Sequence, residues 1–479
     1  MARTTLPTLA AASLCAVLAG AAGGLTAPAY GKDIVLRMAV PDWPPTRIMK
    51  ELADKSYKAP SGNKVTLEPD FIPWPDYYTR LAASLTSGEK KYNMAVSDSQ
   101  WLGAFIEGGY YLKINKYVDA DPALQAVFKD LHPAVRAAYS TYPYKTDNLY
   151  GFPQMPDILV SYYRKDVFCD ETEQKNFMAK YKYKLPCTGE EMDKTTWDMF
   201  RDYGEFFMRK KGDTLAGKAL DDDFYGVAFQ AGKAYDFSTT TVHQFLWQHG
   251  GDIWDETKAP NSHAVGVVNS PVAVKSFEHM LSLLKYMPPV AKTGGMDVFK
   301  TDELFREGKL AYNVNWIGFA ETGMSPATSK VSDKVAFAQA PGLKTDKDKD
   351  MVRWSQIGGQ PFVLMTWNSE ETNQEALAFC KWWLSKDTQI AFAKAGGQSA
   401  LKSVYTDPQY VTFRPWNRAW APQLDWQKDF WHVPEFFELL TEQQEQYDKA
   451  ITGQQDAKKS LDTIANFQEK LLKDAGRIK

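Results

Sequence analysis

At 479 residues the chain is too long for one ordinary hydrophobic core and is expected to hold two domains or more. Its 44% hydrophobic and 24% charged residues are those of a soluble globular protein, and a formal net charge of -3 leaves no basic stripe for nucleic acid. The unusual figure is 14% aromatic residues with 15 Trp. Most of these rings are expected in cores, and a minority as stacking platforms for flat ligands such as sugar rings.

The first thirty residues read as a leader rather than as fold. Arg3 gives a positive start, residues 6–25 are small and apolar, and Ala27-Pro28-Ala29 is an A-x-A cleavage pattern, so the mature chain is expected to begin near Tyr30. Gly20, Gly23 and Gly24 argue against a retained span. Leu14 before Cys15 argues against a lipid anchor. The expected destination is the periplasm. Export decides how the cysteines read, since an oxidising compartment favours pairing. Cys169 and Cys187, 18 positions apart, are the expected disulfide. A metal reading fails for want of C-x-x-C or a neighbouring His. Cys380 lies in a helical pattern and reads as a buried thiol.

In chain order, 33–40 reads as a first strand with apolar residues on both faces, as in a strand buried between helices. A helix follows over about 46–55, then a strand over 65–71 and a helix over 75–85. Residues 92–97 make a third strand, and Asp98-Ser99 caps a helix over about 100–107. This alternation is the signature of a parallel α/β sheet. Ligands of such sheets gather at the carboxyl ends of strands, where helix N-termini point. Trp43, Asp98 and Gln100 stand there.

Residues 149–168 carry the organising stretch. Prolines at 153 and 156 hold Phe152 and Met155 extended, and the mostly apolar run 158–163 continues as a strand. The stretch reads as backbone leaving one folded body, crossing a cleft and entering another, with Asp157 at the crossing point. Further on, helices are expected over about 195–210, 239–249, 271–286, 299–307, 370–384 and 387–394. Strands are expected over 224–229, 310–315 and 335–340, and 354–364 returns through Gly358-Gly359. The tail from Pro434 is helical, with a stripe of Leu461, Ile464, Phe467, Leu471 and Leu472 that reads as packing on its own domain.

The joint order of several motifs resembles the extracellular solute-binding proteins of family 1, which serve carbohydrate-type ABC importers. Its carriers are the runs 93–101 and 108–112, the crossing residues 150–153 with 162–166, and Thr195-Thr196-Trp197. Further carriers are 245–252, 269–271, 305–309, Asn315-Trp316, Gly358-Gly359, 379–385 and Thr452-Gly453. The resemblance implies a two-lobed, type II-like periplasmic-binding-protein fold, each lobe a mainly parallel sheet flanked by helices, joined by crossing hinge segments. Lobe 1 would be 30–156 plus 357–407, and lobe 2 would be 157–356 plus 408–479. It implies a sugar or polyol closed between the lobes, docking on transmembrane permease subunits, a monomer, no cofactor, no metal and no catalysis. Matched by motif, the ligand residues would be Trp43, Asp98, Gln100, Asp157, Trp247 and Trp316. Gln360 stands where the family often has an aromatic residue after the Gly-Gly pair, and joins them as a candidate.

Each candidate has a plainer reading beside the functional one. Asp98 also suits an N-cap, Asp157 a turn after Pro156, and Gln100 and Gln360 surface amides. Trp316 ends a strand, which suits a platform. Trp43 lines a cleft or packs on it. Trp247 sits in a helix, where core packing is the default. Other motifs fail. The G-x-x-x-x-G-K of 212–218 has Ala219 in place of Ser/Thr, and Asp346, Asp348 and Asp350 lead to Met351 where a calcium loop needs Gly. Two other functions keep a place: the same fold binding a non-sugar small molecule, and an exported carbohydrate-active enzyme with two carboxyls across a scissile bond.

Overall fold

The computed structural model describes residues 31–344 and 350–479. The leader with its cleavage near Ala29, and Asp346 and Asp348 of the charged loop, lie outside the described residues. The strands are β1 (Asp33–Pro41), β2 (Lys64–Ile72), β3 (Met94–Val96), β4 (Gly151–Arg164), β5 (Thr214–Leu215), β6 (Lys218–Ala219), β7 (Tyr225–Ala228), β8 (Leu310–Trp316), β9 (Val335–Gln339), β10 (Ser355–Leu364) and β11 (Gln427–Lys428). Nine of them join in one sheet of order β2-β1-β3-β10-β4-β8-β7, with β9 also on β4 and β11 on β10, while β5 and β6 pair separately.

β4 is the crossing predicted from the prolines. All 14 of its residues are buried. Its first part, residues 151–158, pairs with β10; its second part, 159–164, pairs with β8 and β9. One strand therefore serves two α/β bodies. The first holds β1, β2 and β3 with the helices Pro44–Ser56, Trp74–Thr86 and Glu370–Trp383. The second holds β7, β8 and β9 with the helices Trp197–Phe207, Phe237–Gln248 and Pro271–Leu283. Parallel pairing occurs between β1 and its neighbours β2 and β3, and between β7 and β8. The strands around β4 are antiparallel to it, and β10 runs antiparallel to β3 but parallel to β11. The sheet is thus mixed rather than mainly parallel, because a chain that crosses on β4 and returns on β10 must run in opposite directions.

β1 alternates between exposed and more buried residues as far as Arg37 and is buried from Met38 to Pro41, so only its carboxyl end is enclosed on both sides. The helix after it starts on Pro44-Pro45, where a missing N–H costs nothing. The same device builds two helices that periodicity had not revealed, Pro122–Asp130 and Pro133–Ser140. Asp121 and His132 cap them with side-chain acceptors. In the tail, Leu461, Ile464 and Leu472 are buried along the helix Ala457–Asp474, which packs with Phe436–Ile451 on the second body. Its end also reaches the first body, where Arg477 pairs with Glu107 as well as with Glu435. No described helix is long and apolar enough to cross a membrane.

Cys169 and Cys187 are bridged, with Cα atoms 4.9 Å apart, and Cys380 is a buried free thiol. Between the bridged pair runs the helix Glu171–Tyr181, capped by Asp170. A bridge spanning 18 positions closes a loop for which loop-closure entropy gives ~3 kcal/mol. Replacing both cysteines by Ser is expected to lower the unfolding free energy by about that amount in a urea titration; an unchanged midpoint would show the insertion is held by its helix alone.

Candidate functional site

β1, β3, β4 and β8 all end, or change partners, around one space. Trp43 follows the carboxyl end of β1, with backbone extended (φ -157°) before Pro44. Asp98 follows β3 and caps the short turn Ser99–Trp101, its Oδ1 accepting from the Gln100 N–H at 3.2 Å. Trp316 ends β8. Asp157 stands on β4 opposite Gly358 of β10, where the crossing strand hands over from one partner to the next. Its Oδ1 accepts from the Gly318 N–H at 3.1 Å.

These residues enclose a cavity of about 150 Å³. Six of the seven sequence candidates line it: Trp43, Asp98, Gln100, Asp157, Trp316 and Gln360. The N-cap reading of Asp98 holds: one oxygen caps while the other accepts from the Tyr235 hydroxyl at 3.1 Å. Trp247 is a correction. Its indole N–H donates to Asp252 at 3.3 Å, and it lines a separate surface recess with Lys428 and Trp431. The helix Phe237–Gln248 is buried all round, so the end that meets the cavity is its N-terminus. Trp247 lies ten residues beyond Phe237, about 15 Å away at 1.5 Å per residue.

That N-terminus supplies what sequence reasoning missed: Tyr235, Asp236 and Phe237. Tyr235 has φ +45°, unusual for a residue with a side chain. Gln100 Nε2 donates to Asp236 Oδ2 at 3.0 Å. Trp74, at the start of the helix after β2, was missed too, as were Asp42, Phe299 and Phe319. A usable signal existed for several of them. The strand-end rule that found Trp43 and Asp98 also points to Trp74 after β2 and to the helix start after β7. The four Trp between 416 and 431 are structural: Trp416, Trp420 and Trp431 are fully buried, Trp426 packs on Trp354, and none lines the cavity.

Two glycines allow the walls to meet. A Cβ on Gly318 would collide with the Trp43 ring, so the indole lies flush against the second body's backbone. A Cβ on Gly358 would stand 2.7 Å from the Trp316 ring, which packs against the crossing strand instead. Gly359 has φ +115° and leads into the irregular pairing between Gln360 and Pro361. The walls are aromatic: Trp74 lies 6.2 Å from Trp43 and meets Tyr235 edge-on at 5.8 Å.

The polar lining is acidic, and no Lys, Arg or His belongs to it. Burial pushes the Asp157 carboxyl up to about 8 despite the backbone N–H groups it accepts from. Burial likewise raises Asp236 to about 6, and holds Asp98 well above the usual carboxylate range, helped by the nearby Asp236 charge. Behind them, Asp429 is paired. Burial alone would strip the proton from His432, but Asp429, 2.9 Å from Nε2, and Glu256 outweigh it and push His432 up to about 10. Among the described residues no cluster of three His, Cys, Asp or Glu is arranged to hold a metal ion.

The arrangement is a cavity between two α/β bodies, lined by carboxyls and aromatic rings from strand ends and a crossing strand. Residues 42–390 match the family model of bacterial extracellular solute-binding proteins. The chain belongs to that family. Its solved relatives share the two-lobed fold. An ABC transporter solute-binding protein of Agrobacterium radiobacter K84, in complex with ribitol, aligns with a TM-score of 0.70 at 21% identity, covering 91% of this chain and 98% of the other. Maltose-bound MalE3 of T. maritima gives 0.69 at 18% identity, covering 92% and 100%. A solute-binding protein of Agrobacterium vitis S4 with bound D-mannitol gives 0.69 at 17%, covering 93% and 99%. Family and neighbours are binding proteins rather than enzymes.

The raised carboxyls set one part of the pH response of this solute-binding protein when empty. A carboxyl that holds its proton more tightly folded than unfolded contributes most below the unfolded pKa, and that contribution is lost as pH rises through the folded value. For Asp157 the window runs from about 4 to about 8. Across it the Asp157 contribution to the stability of the ligand-free protein is expected to fall. Asp157→Asn, which keeps an acceptor for Gly318, is expected to raise the melting temperature at pH 8 and to flatten the decline. A steeper decline in the variant would contradict the buried-carboxyl account.

Proposed function

We propose that this protein is the periplasmic solute-binding component of an ABC importer, capturing a sugar or polyol between its lobes and delivering it to transmembrane permease subunits. The observation that carries this is the joint placement of carboxylates and aromatic rings around one enclosed space at the strand ends. Carboxylates and amides accept from hydroxyls, the carboxylates through charge-assisted bonds, and ring faces cover C–H surfaces. The ribitol and D-mannitol complexes of the Agrobacterium neighbours support a small, hydroxyl-rich ligand. So does the volume of about 150 Å³, below the ~300–1,000 Å³ of pockets for drug-sized ligands.

Lobe 1 is taken as 30–156 plus 357–407, and lobe 2 as 157–356 plus the tail. The Gln100–Asp236 and Asp98–Tyr235 hydrogen bonds then join the two lobes across the cavity, which makes this the closed arrangement. Trp43, Asp98, Gln100, Asp157, Trp316 and Gln360 are the proposed ligand contacts, joined by Trp74, Tyr235 and Asp236. The leader at 1–29 and the bridged cysteines fit export, and the protein acts as a monomer, without catalysis.

A thermal-shift screen over sugars and polyols tests the ligand class. A true ligand at 100 times its Kd adds about 2.7 kcal/mol; a screen with no stabilising sugar or polyol would reject the class. Asp157→Ala is expected to cost about 1.5–3 kcal/mol of binding, the range for a hydrogen bond to a charged group, while the empty variant stays folded. Unchanged affinity would remove Asp157 from the site. Incubation with oligosaccharides is expected to yield no hydrolysis products, and their appearance would revive the enzyme reading.

A further inference from the structure

The charges in the cavity do not balance. Asp42 at its rim has Arg47, 2.8 Å away. Asp429 behind it has His432. Asp98, Asp157 and Asp236 are each at most 5% exposed, and none has a cationic partner among the described residues. Among the described residues their hydrogen bonds come from neutral donors: the Gln100 and Gly318 N–H groups, the Ser99 and Tyr235 hydroxyls and the Gln100 amide. Two further buried acceptors are unpartnered there, Gln100 Oε1 and Gln360 Oε1. The Gln100 amide cannot turn its oxygen away, because its nitrogen is engaged by Asp236.

A buried carboxylate without a counter-charge is costly, and in an empty cavity it takes up a proton instead. A neutral polyol gives such groups hydroxyl donors but leaves their charge uncancelled. The aromatic walls point the same way, since ring faces are negative and attract cations. A metal ion is a poor occupant, because no three candidate ligands converge among the described residues.

We propose that the solute is a hydroxylated organic cation, an amino sugar or amino polyol carrying a protonated nitrogen, held between the uncompensated carboxylates and the Trp walls. This rests on the cavity being the ligand site. The ammonium supplies the charge that Asp98, Asp157 and Asp236 lack, and its N–H groups reach the free amide oxygens. The carbon skeleton lies on the rings. Binding then draws protons off carboxyls that hold them in the empty state.

Matched pairs test the charge: glucamine against sorbitol and glucosamine against glucose, with N-acetylglucosamine as a bulkier neutral control, by calorimetry at pH 7. The amino member of a pair is expected to bind at least tenfold tighter, acetylation to remove the gain, and heats in two buffers of different ionisation enthalpy to reveal proton release. Asp236→Asn, which keeps an acceptor for Gln100, is expected to weaken the amine about tenfold more than its neutral partner; equal losses for both would show a merely structural role and overturn the charge assignment at Asp236. Neutral members binding as tightly as the amines would overturn the charge assignment and leave the sugar and polyol reading intact. Binding by no member of either set would overturn both.

Discussion

One strand has to belong to two bodies at once, and the site follows from that. β4 is buried along its whole length, and Asp157 is the one carboxyl it carries. At the point where β4 leaves β10 for β8, its carboxylate meets the backbone of Gly318 rather than another strand. Flanking it are the return strand, which needs glycine at 358 and 359 to admit the Trp316 ring and a left-handed turn, and the loop after β8, which needs glycine at 318 to admit Trp43. Hinge, cavity wall and ligand group are set by the same few residues.

Acidity is the second consequence. Each body contributes carboxyls at its own strand or helix end, Asp98 from the first and Asp236 from the second, with Asp157 between them. In the proposed closure they share one low-dielectric space. Charges that are tolerable while solvated become expensive when the bodies meet, and their raised pKa values are the measure of it. A ligand that relieves this cost favours closure specifically, which is the differential affinity a conformational change needs.

Much of this was legible in the sequence because its signals are local. Proline at 153 and 156, glycine at 358 and 359, and caps at strand ends mark backbone that can adopt few conformations, and they located the crossing, Asp98, Asp157 and Trp316. The bridged Cys169 and Cys187 followed from export and spacing. What escaped depends on direction in space. Phe237–Gln248 is buried all round, so no apolar stripe says which end meets the ligand, and Trp247 drew attention from Tyr235 and Asp236 at the opposite end. The mixed sheet escaped as well, since strand direction is set by the crossing and not by any one strand's residues.

The central claim is that ligand holds two lobes together at this crossing, and X-ray scattering in solution tests it most directly. With a stabilising ligand at saturation, the curve is expected to match the closed arrangement described here, with Gln100 against Asp236 and Trp43 against Gly318. Without ligand, the radius of gyration is expected to be larger as the lobes part. Identical curves with and without saturating ligand would contradict it.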